Sequence, residues 1–591
     1  MPPKLTSSPL SSLDTTDSHT SFATAAESPN GIQQEVITYS DNSPSAAEDE
    51  RDDDPSDAGL PQYYVAKPLP PDLREHTRVY LEEALPRQAI SFLANLLSTR
   101  PPNCREPAYC PPPSQIALLF SLTIHPDFTT RPKEPDWPGI SLQSLVYLRD
   151  VLAVFGPINA RFKEAILFNS DATSIFDRDS PPSDHQTSDA DERGLVRLMP
   201  RFGSDSVWQR GRDFFRVLGW AFNCSVIYPE RWKWWRRWVE FMVDIMEHDL
   251  YERHRLDEEA GEKNESALGE SILALYLTQR SGRTADVLTW MMRAIFADGS
   301  AAATSVFQEI WPREYKSKLH HAANKRKRES VNIDQGHYGG YLDDESVPSS
   351  QASEPPTPHK ERRRAETVEE QVLEAAFVET IPLRQRLFSL LSYLCYNLGK
   401  DSPIEIASLY EKFAWKIRDL PLAVFASFIN TTTSALLVPQ QIEVLQCVLS
   451  LLIPANALKP EKVDRTRANQ GGISPVILER CFLPYPANTI EAVDNAKMSL
   501  LLENLVMIIL QHGSEGDDFS DNLMDAVNKG IQARQDKIDK RKSRSRPRPS
   551  KGPEAEARAV LASSSSRLTW LGEAIQSNFV SRAGGDAMDE D

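Results

Sequence analysis

The sequence has few cysteines, few glycines and no long apolar run, and each shortage excludes a class of protein. Six cysteines in 591 residues (Cys104, Cys110, Cys224, Cys395, Cys447 and Cys481) sit mostly in apolar helical contexts, as reduced core thiols do. A disulfide framework is not expected. The longest apolar stretches, around Leu505 to Leu510 and Leu445 to Ile453, fall far short of the ~18–20 residues a membrane span needs, so no membrane partner is predicted. The first residues, MPPKLTSSPLSSLDTTDS, lack the apolar core of a secretory signal, which predicts a cytosolic or nuclear chain. There is no glycine loop ending in Gly-Lys-Ser/Thr, no G-x-G-x-x-G, no G-x-S-x-G and no H-E-x-x-H. No catalytic residue, cofactor or metal is therefore predicted, and the chain reads as non-enzymatic.

Two near matches to chemistry fail on context. Cys104 and Cys110 lie within NCREPAYCPPP, but a structural zinc site needs four ligands, and no second Cys or His pair lies at usable spacing. A proline-rich surface loop is the expectation there. His248, Glu252 and His254 fall close together in MEHDLYERHR, where a solvated helix end of mixed charge explains them without function.

What is present is unevenly distributed. The 84 Asp and Glu against 66 Lys and Arg give a formal charge of −18, and residues 1–60 alone supply −10 of it. Ser, Thr, Asp, Glu and Pro fill residues 1–72, which predicts a disordered acidic tail, because so few apolar groups cannot offset the entropy of ordering it. The same composition predicts a disordered insert at about 170–191, basic disordered linkers at 316–365 and 535–557, and a disordered acidic tail at 581–591. Between them lie an N-terminal helical module, 73–315, a C-terminal one, 366–534, and a short amphipathic helix, 558–580, with Leu568, Leu571, Ile575 and Phe579 on one face. The fold class is all-α, two helical modules separated by long disordered linkers.

Local signals support the helices. Gly399 stands where a left-handed cap would end LRQRLFSLLSYLCYNL, and Ser402-Pro403-Ile404-Glu405 reads as N-cap, N1 proline and capping-box carboxylate. Ile406, Leu409, Tyr410, Phe413 and Ile417 follow on one face. Asn488-Thr489-Ile490-Glu491 reads as another cap, opening a helix that ends near Gly513; Ser141 reads as a cap for a helix closed by Gly156-Pro157. A later helix carries Val207, Gly211, Phe214, Phe215, Leu218 and Phe222 on one side. Pro421 and Pro439 follow Pro403 at 18-residue intervals, each opening an apolar segment. This spacing resembles the antiparallel helix pairs of HEAT or armadillo-like solenoids, with an irregular bundle as the alternative. The resemblance covers only the C-terminal module and implies protein contact.

The candidate functional residues fall into three groups. Arg231-Trp232-Lys233-Trp234-Trp235-Arg236-Arg237-Trp238 interleaves indoles with cations, and Trp232, Trp234, Arg236 and Arg237 are the candidates for contact with a partner or nucleic acid. Helical packing accounts for Trp235 and Trp238, which share a face with Val239, Met242, Ile245 and Met246. Lys325, Arg326, Lys327 and Arg328, then Arg362, Arg363 and Arg364, then Lys540, Arg541 and Lys542 form basic blocks that read as nuclear-import signals or nucleic-acid contacts. Thr357, Ser28 and Ser43 precede proline, and Thr357 also has Lys360 three positions on, a pattern that resembles cyclin-dependent kinase sites. The sequence thus predicts a nuclear scaffold or adaptor with protein partners, in a chromatin or chromosome-maintenance complex. The alternative is an RNA- or DNA-binding factor of ribosome biogenesis or transcription, using the Trp/Arg helix and the basic linkers.

Overall fold

The fold begins with an extended strap, not with a helix. Tyr64 donates its backbone N–H to Val154 O at 2.9 Å, and Asn159 Nδ2 donates to Tyr64 O at 3.1 Å, pinning the strap to the protein body. The Tyr63 ring lies so close over Gly156 that a Cβ there would sit 2.5 Å from it, and Gly156 has φ +68°, so glycine is required twice over. The strap continues as β1 (Ala66–Pro68), paired in parallel with β2 (Ala108–Cys110). The expected tail through residue 72 is therefore too long by some ten residues. Two buried tyrosine and leucine anchors, Tyr63 and Leu69, hold this proline-rich stretch, which composition alone reads as loop. The structure is a computed structural model describing residues 63–98, 107–168, 200–261, 266–279, 284–315, 373–469, 472–512, 519–520, 522–542 and 552–585.

Helices make up nearly all the rest, as expected. A hairpin of α1 (Pro71–Glu82) and α2 (Pro86–Ser98) precedes α3 (Pro113–Leu122), which is buried on every side from Gln115 to Leu122. Its IALLFSL run is apolar all round, which places a helix in the middle of a core. Helix α4 (Trp137–Asn159) starts four residues before Ser141, and that serine is buried with its hydroxyl donating to Thr123 O rather than capping. The helical geometry of α4 breaks at Gly156, where the Gly-Pro pair was expected to end it. Among the described residues α4 is also the one helix long and apolar enough to cross a membrane, and most of its apolar window is buried in the protein.

The stretch from Val207 to Phe222 is two helices. The first ends at Arg210, Asp213 caps α5 (Phe214–Ile227) by accepting from Arg216 N at 2.8 Å, and all six apolar-side residues named above are buried. Tyr228-Pro229 then turns the chain into α6 (Pro229–Ala260), about 48 Å long at 1.5 Å per residue. Helices α7 (Ile272–Thr278) and α8 (Thr284–Ile295) follow, and a short helical turn, Ala301–Val306, comes after them in the first half.

The second half opens with α9 (Ile381–Leu398), closed by Gly399 at φ +53° with its N–H on Cys395 O. Its successor α10 (Ile406–Arg418) starts later than Ser402 predicts: the Ser402 hydroxyl donates to Ile404 O at 2.7 Å and accepts from Ile404 N at 3.3 Å, and Glu405 holds the N-cap position. Leu409, Tyr410, Phe413 and Ile417 are buried as the periodicity requires. The Pro421 segment yields only a seven-residue helix, α11 (Leu422–Phe428), then turns, before α12 (Val438–Leu452). Helix α13 (Ala492–His512) likewise starts after Glu491, and the buried Asn495 side chain ties Thr489 O and Glu491 O to it. Helix α14 (Leu523–Lys542) takes in residues 535–542 of the segment expected to be a basic linker, and α15 (Pro553–Gly585) claims its end. Ile538, Ala557 and Leu561 explain the difference: they form a small apolar cluster with Ala492 and Ala496 that outweighs the flanking charge.

The described residues form one compact unit. The two halves share a hydrophobic core that runs from Leu69 to Ile575, with α9 packed against α6 and α7. Helix α15 docks on α13 through Leu568, Leu571 and Ile575, a Ser499–Ser564 hydroxyl pair at 2.9 Å, and Arg567 on Glu503.

Candidate partner-binding surface

Three of the four indoles in the Trp/Arg segment are core residues. Trp235 and Trp238 are fully buried with Val239, Met242, Ile245 and Met246, the expected face. Phe120 of α3 meets Trp238 edge-on at 5.8 Å and stacks on Phe241 at 5.1 Å. Trp232, a candidate for outside contact, is 5% exposed and leans on Phe222 of α5. Trp234 is half-buried, with the exposed Arg237 guanidinium over its ring at 5.3 Å. Arg236 bonds Glu240 at 2.7 Å and Glu379 at 2.6 Å. Stacking on unpaired bases needs exposed rings, so this helix lacks the run of indoles such a site uses.

Arg231 is buried completely. Its guanidinium takes Glu314 at 2.7 Å and Thr129 Oγ1 at 2.8 Å, between the rings of Trp235 and Trp311. Burial raises the Glu314 carboxyl and Arg231 pulls it back, with the net shift upward. The pair joins α6 to the end of the first half.

A polar seam follows the α6–α9 contact toward solvent. Arg386 of α9 reaches Asp244 at 2.9 Å and also pairs with Glu247; Arg149 adds to Asp244 at 3.5 Å. Two turns on, Tyr393 meets Tyr251 at 5.4 Å and His254 at 5.6 Å. The seam spends cations of both halves on internal carboxylates.

Two of the concavities among the described residues bear on the argument. One, about 140 Å³, lies between α10 and α12 beside Tyr410, Glu443 and Cys447. Burial and the adjacent Glu443 push the Cys447 thiol up to about 12, so it is not a thiolate nucleophile at neutral pH. The second, about 300 Å³ and open, lies at the α5–α6 corner, lined by Trp220, Tyr228, Thr304, Gln308, Glu309 and Tyr315. The sequence reading missed it, because its walls come from three separated stretches and only Tyr228 neighbours a segment that draws notice.

The remaining candidates are scattered or outside the described residues. His248 Nδ1 pairs with Tyr63 Oη at 2.8 Å while His254 faces Glu258, and no group of three His, Cys, Asp or Glu among the described residues could hold a metal. Five cysteines are free; Cys110 lies in β2, not in a surface loop, and Cys104 lies outside the described residues. Lys540, Arg541 and Lys542 occupy the last turn of α14. Lys325, Arg326, Lys327, Arg328, Arg362, Arg363, Arg364, Thr357, Ser28 and Ser43 lie outside the described residues. No protein-family model matches this chain, and no curated protein or solved structure does either.

Proposed function

We propose that the chain is a non-enzymatic nuclear scaffold or adaptor, which binds other proteins through helical surfaces within a chromatin or chromosome-maintenance complex. The observation that carries this reading is the neutralised seam: Arg236 and Arg386 are matched by Glu240, Glu379, Asp244 and Glu247. A phosphate-binding face needs cations free to displace counterions, and Arg236 and Arg386 are spent on internal carboxylates. Large apolar side chains meanwhile face solvent on helices, with Val146 61%, Tyr396 59% and Trp570 66% exposed, as aromatic anchors at interfaces are before binding. The basic blocks in 316–365 supply import signals in this account.

Affinity purification of the tagged full chain from nuclease-treated nuclear extract tests the reading. Protein partners retained at fixed stoichiometry are expected. Partners lost with the nucleic acid, together with salt-sensitive binding of the pure chain to RNA or single-stranded DNA, would replace it with the nucleic-acid reading. A reporter fused to residues 316–365 is expected to enter the nucleus; one that stays cytoplasmic removes the support for nuclear residence.

A further inference from the structure

The open pocket at the α5–α6 corner has aromatic walls and a carboxylate, Glu309, that pairs with no described cation. Tyr228 and Tyr315 stack at 4.0 Å between centroids with planes 9° apart, and Trp220, 4% exposed, forms the floor with its ring tilted 51° to Tyr228. Ring faces carry negative potential and attract cations within about 6 Å. On the rim, Glu309 Oε2 accepts from Arg313 N at 3.0 Å, and no described cation pairs with that carboxylate. The buried cation of the neighbouring helix start, Arg231, is already matched by Glu314. The pocket therefore presents π faces and a net negative charge.

We propose that this pocket takes the side-chain ammonium of a lysine, free or N-methylated, from a partner polypeptide. Charge complementarity selects a cation, and the state of Glu309 selects which one. With Oε2 held by the backbone, the carboxylate has one oxygen left, which suits a point charge better than the two-pronged fork of arginine. Volume suits it as well, since about 300 Å³ holds a trimethylammonium head with part of its alkyl stem. Thr304 and Gln308 on the rim supply polar contacts for the partner's backbone. This assignment rests on the partner-binding reading above and names the chemistry of one contact.

The test is calorimetry on the full chain with three probes: Nα-acetyl-lysine methylamide, its Nε-trimethyl derivative, and the neutral tert-butyl isostere of the latter. The cationic probes are expected to bind, and the isostere about tenfold more weakly, the size of a desolvated cation–π contact. Tyr315→Leu is expected to weaken both cations. Glu309→Gln, which keeps an oxygen for Arg313 N, is expected to weaken free lysine more than trimethyl-lysine, and its unchanged melting shows that the fold is intact. Equal binding of the isostere, no binding of either cation, or wild-type affinity in both variants would overturn the proposal. Affinity that rises when residues 318–365 are deleted would also overturn it, assigning the pocket to the chain's own basic tract. If the probes fail while the nuclease-resistant complex persists, the pocket assignment falls and the adaptor reading stands.

Discussion

At the scale of single residues, buried arginines join parts of the chain that are distant in sequence. Arg384 is fully buried, with Nη2 on Ala297 O at 2.8 Å, Nη1 on Ile295 O and Nε on Thr380 Oγ1 at 2.7 Å. Its guanidinium lies 4.0 Å from the ring centres of both Phe222 and Phe377. It closes the carbonyl end of α8, whose last oxygens would otherwise be unpaired. Burial lowers its pKa to about 9, so it remains a cation at neutral pH. Arg384→Ala leaves two buried carbonyls without donors, at about 1–3 kcal/mol each, and is expected to lower the melting temperature by several degrees. Arg384→Lys is expected to recover only part of the loss, since an ammonium lacks the fork. His125 sets a pH dependence. It sits against Phe128, Phe202 and Trp311, with Asp205, Asp127 and Arg231 as its charged neighbours, and burial lowers its pKa from 6.5 despite the Asp205 bond. The unfolded chain binds this proton first as pH falls, so the stability His125 contributes is present above pH 6.5 and is lost below it. Chemical denaturation of His125→Gln across that window is expected to show a flatter slope than the wild type.

At the scale of elements, Gly530 decides how α14 seats. A Cβ at this position would lie 1.8 Å from Leu483 O, at the end of the π-helical turn Leu478–Phe482. Beside it Arg534 Nη1 donates to Leu483 O at 3.3 Å and to Tyr485 O at 3.2 Å. Alanine gains about 1 kcal/mol of helix propensity over glycine, whereas a backbone clash this close forces a shift costing about 1–3 kcal/mol. Gly530→Ala is therefore expected to destabilise the chain and to speed proteolysis of α14 and α15. Element by element, legibility in the sequence followed the range of the forces involved. Leu409, Tyr410, Phe413 and Ile417 were readable because helical periodicity is local, and Gly399 because its cap is. Ser402, Ser141 and Asn488 misplaced helix starts by up to five residues, since tertiary bonds such as Ser141 to Thr123 O compete for the same side chains. Lys537 to Lys542 read as linker because Ile538 is one apolar residue among charges, and its apolar partners lie some 20 to 45 residues away. The second pocket had no local signal at all: Trp220, Glu309 and Tyr315 meet only through the turn at Tyr228-Pro229.

At the scale of the whole molecule, the two helical segments the sequence separates are one body. Arg384 on the carbonyls of α8, Arg386 on the acids of α6 and Arg236 on Glu379 all cross the interval 316–372. A protease cut within that interval is expected to leave both fragments together through gel filtration until denaturant is added; fragments that separate in native buffer would refute a shared core. A continuous core also means that a partner meets a fixed surface, which suits an adaptor because no ordering entropy is spent when it binds. Cross-linking mass spectrometry on the complex purified from nuclease-treated nuclear extract tests that claim most directly. The account predicts cross-links from a partner protein to lysines of the described helices; cross-links confined to this chain, or a complex that dissolves with nuclease, would contradict it.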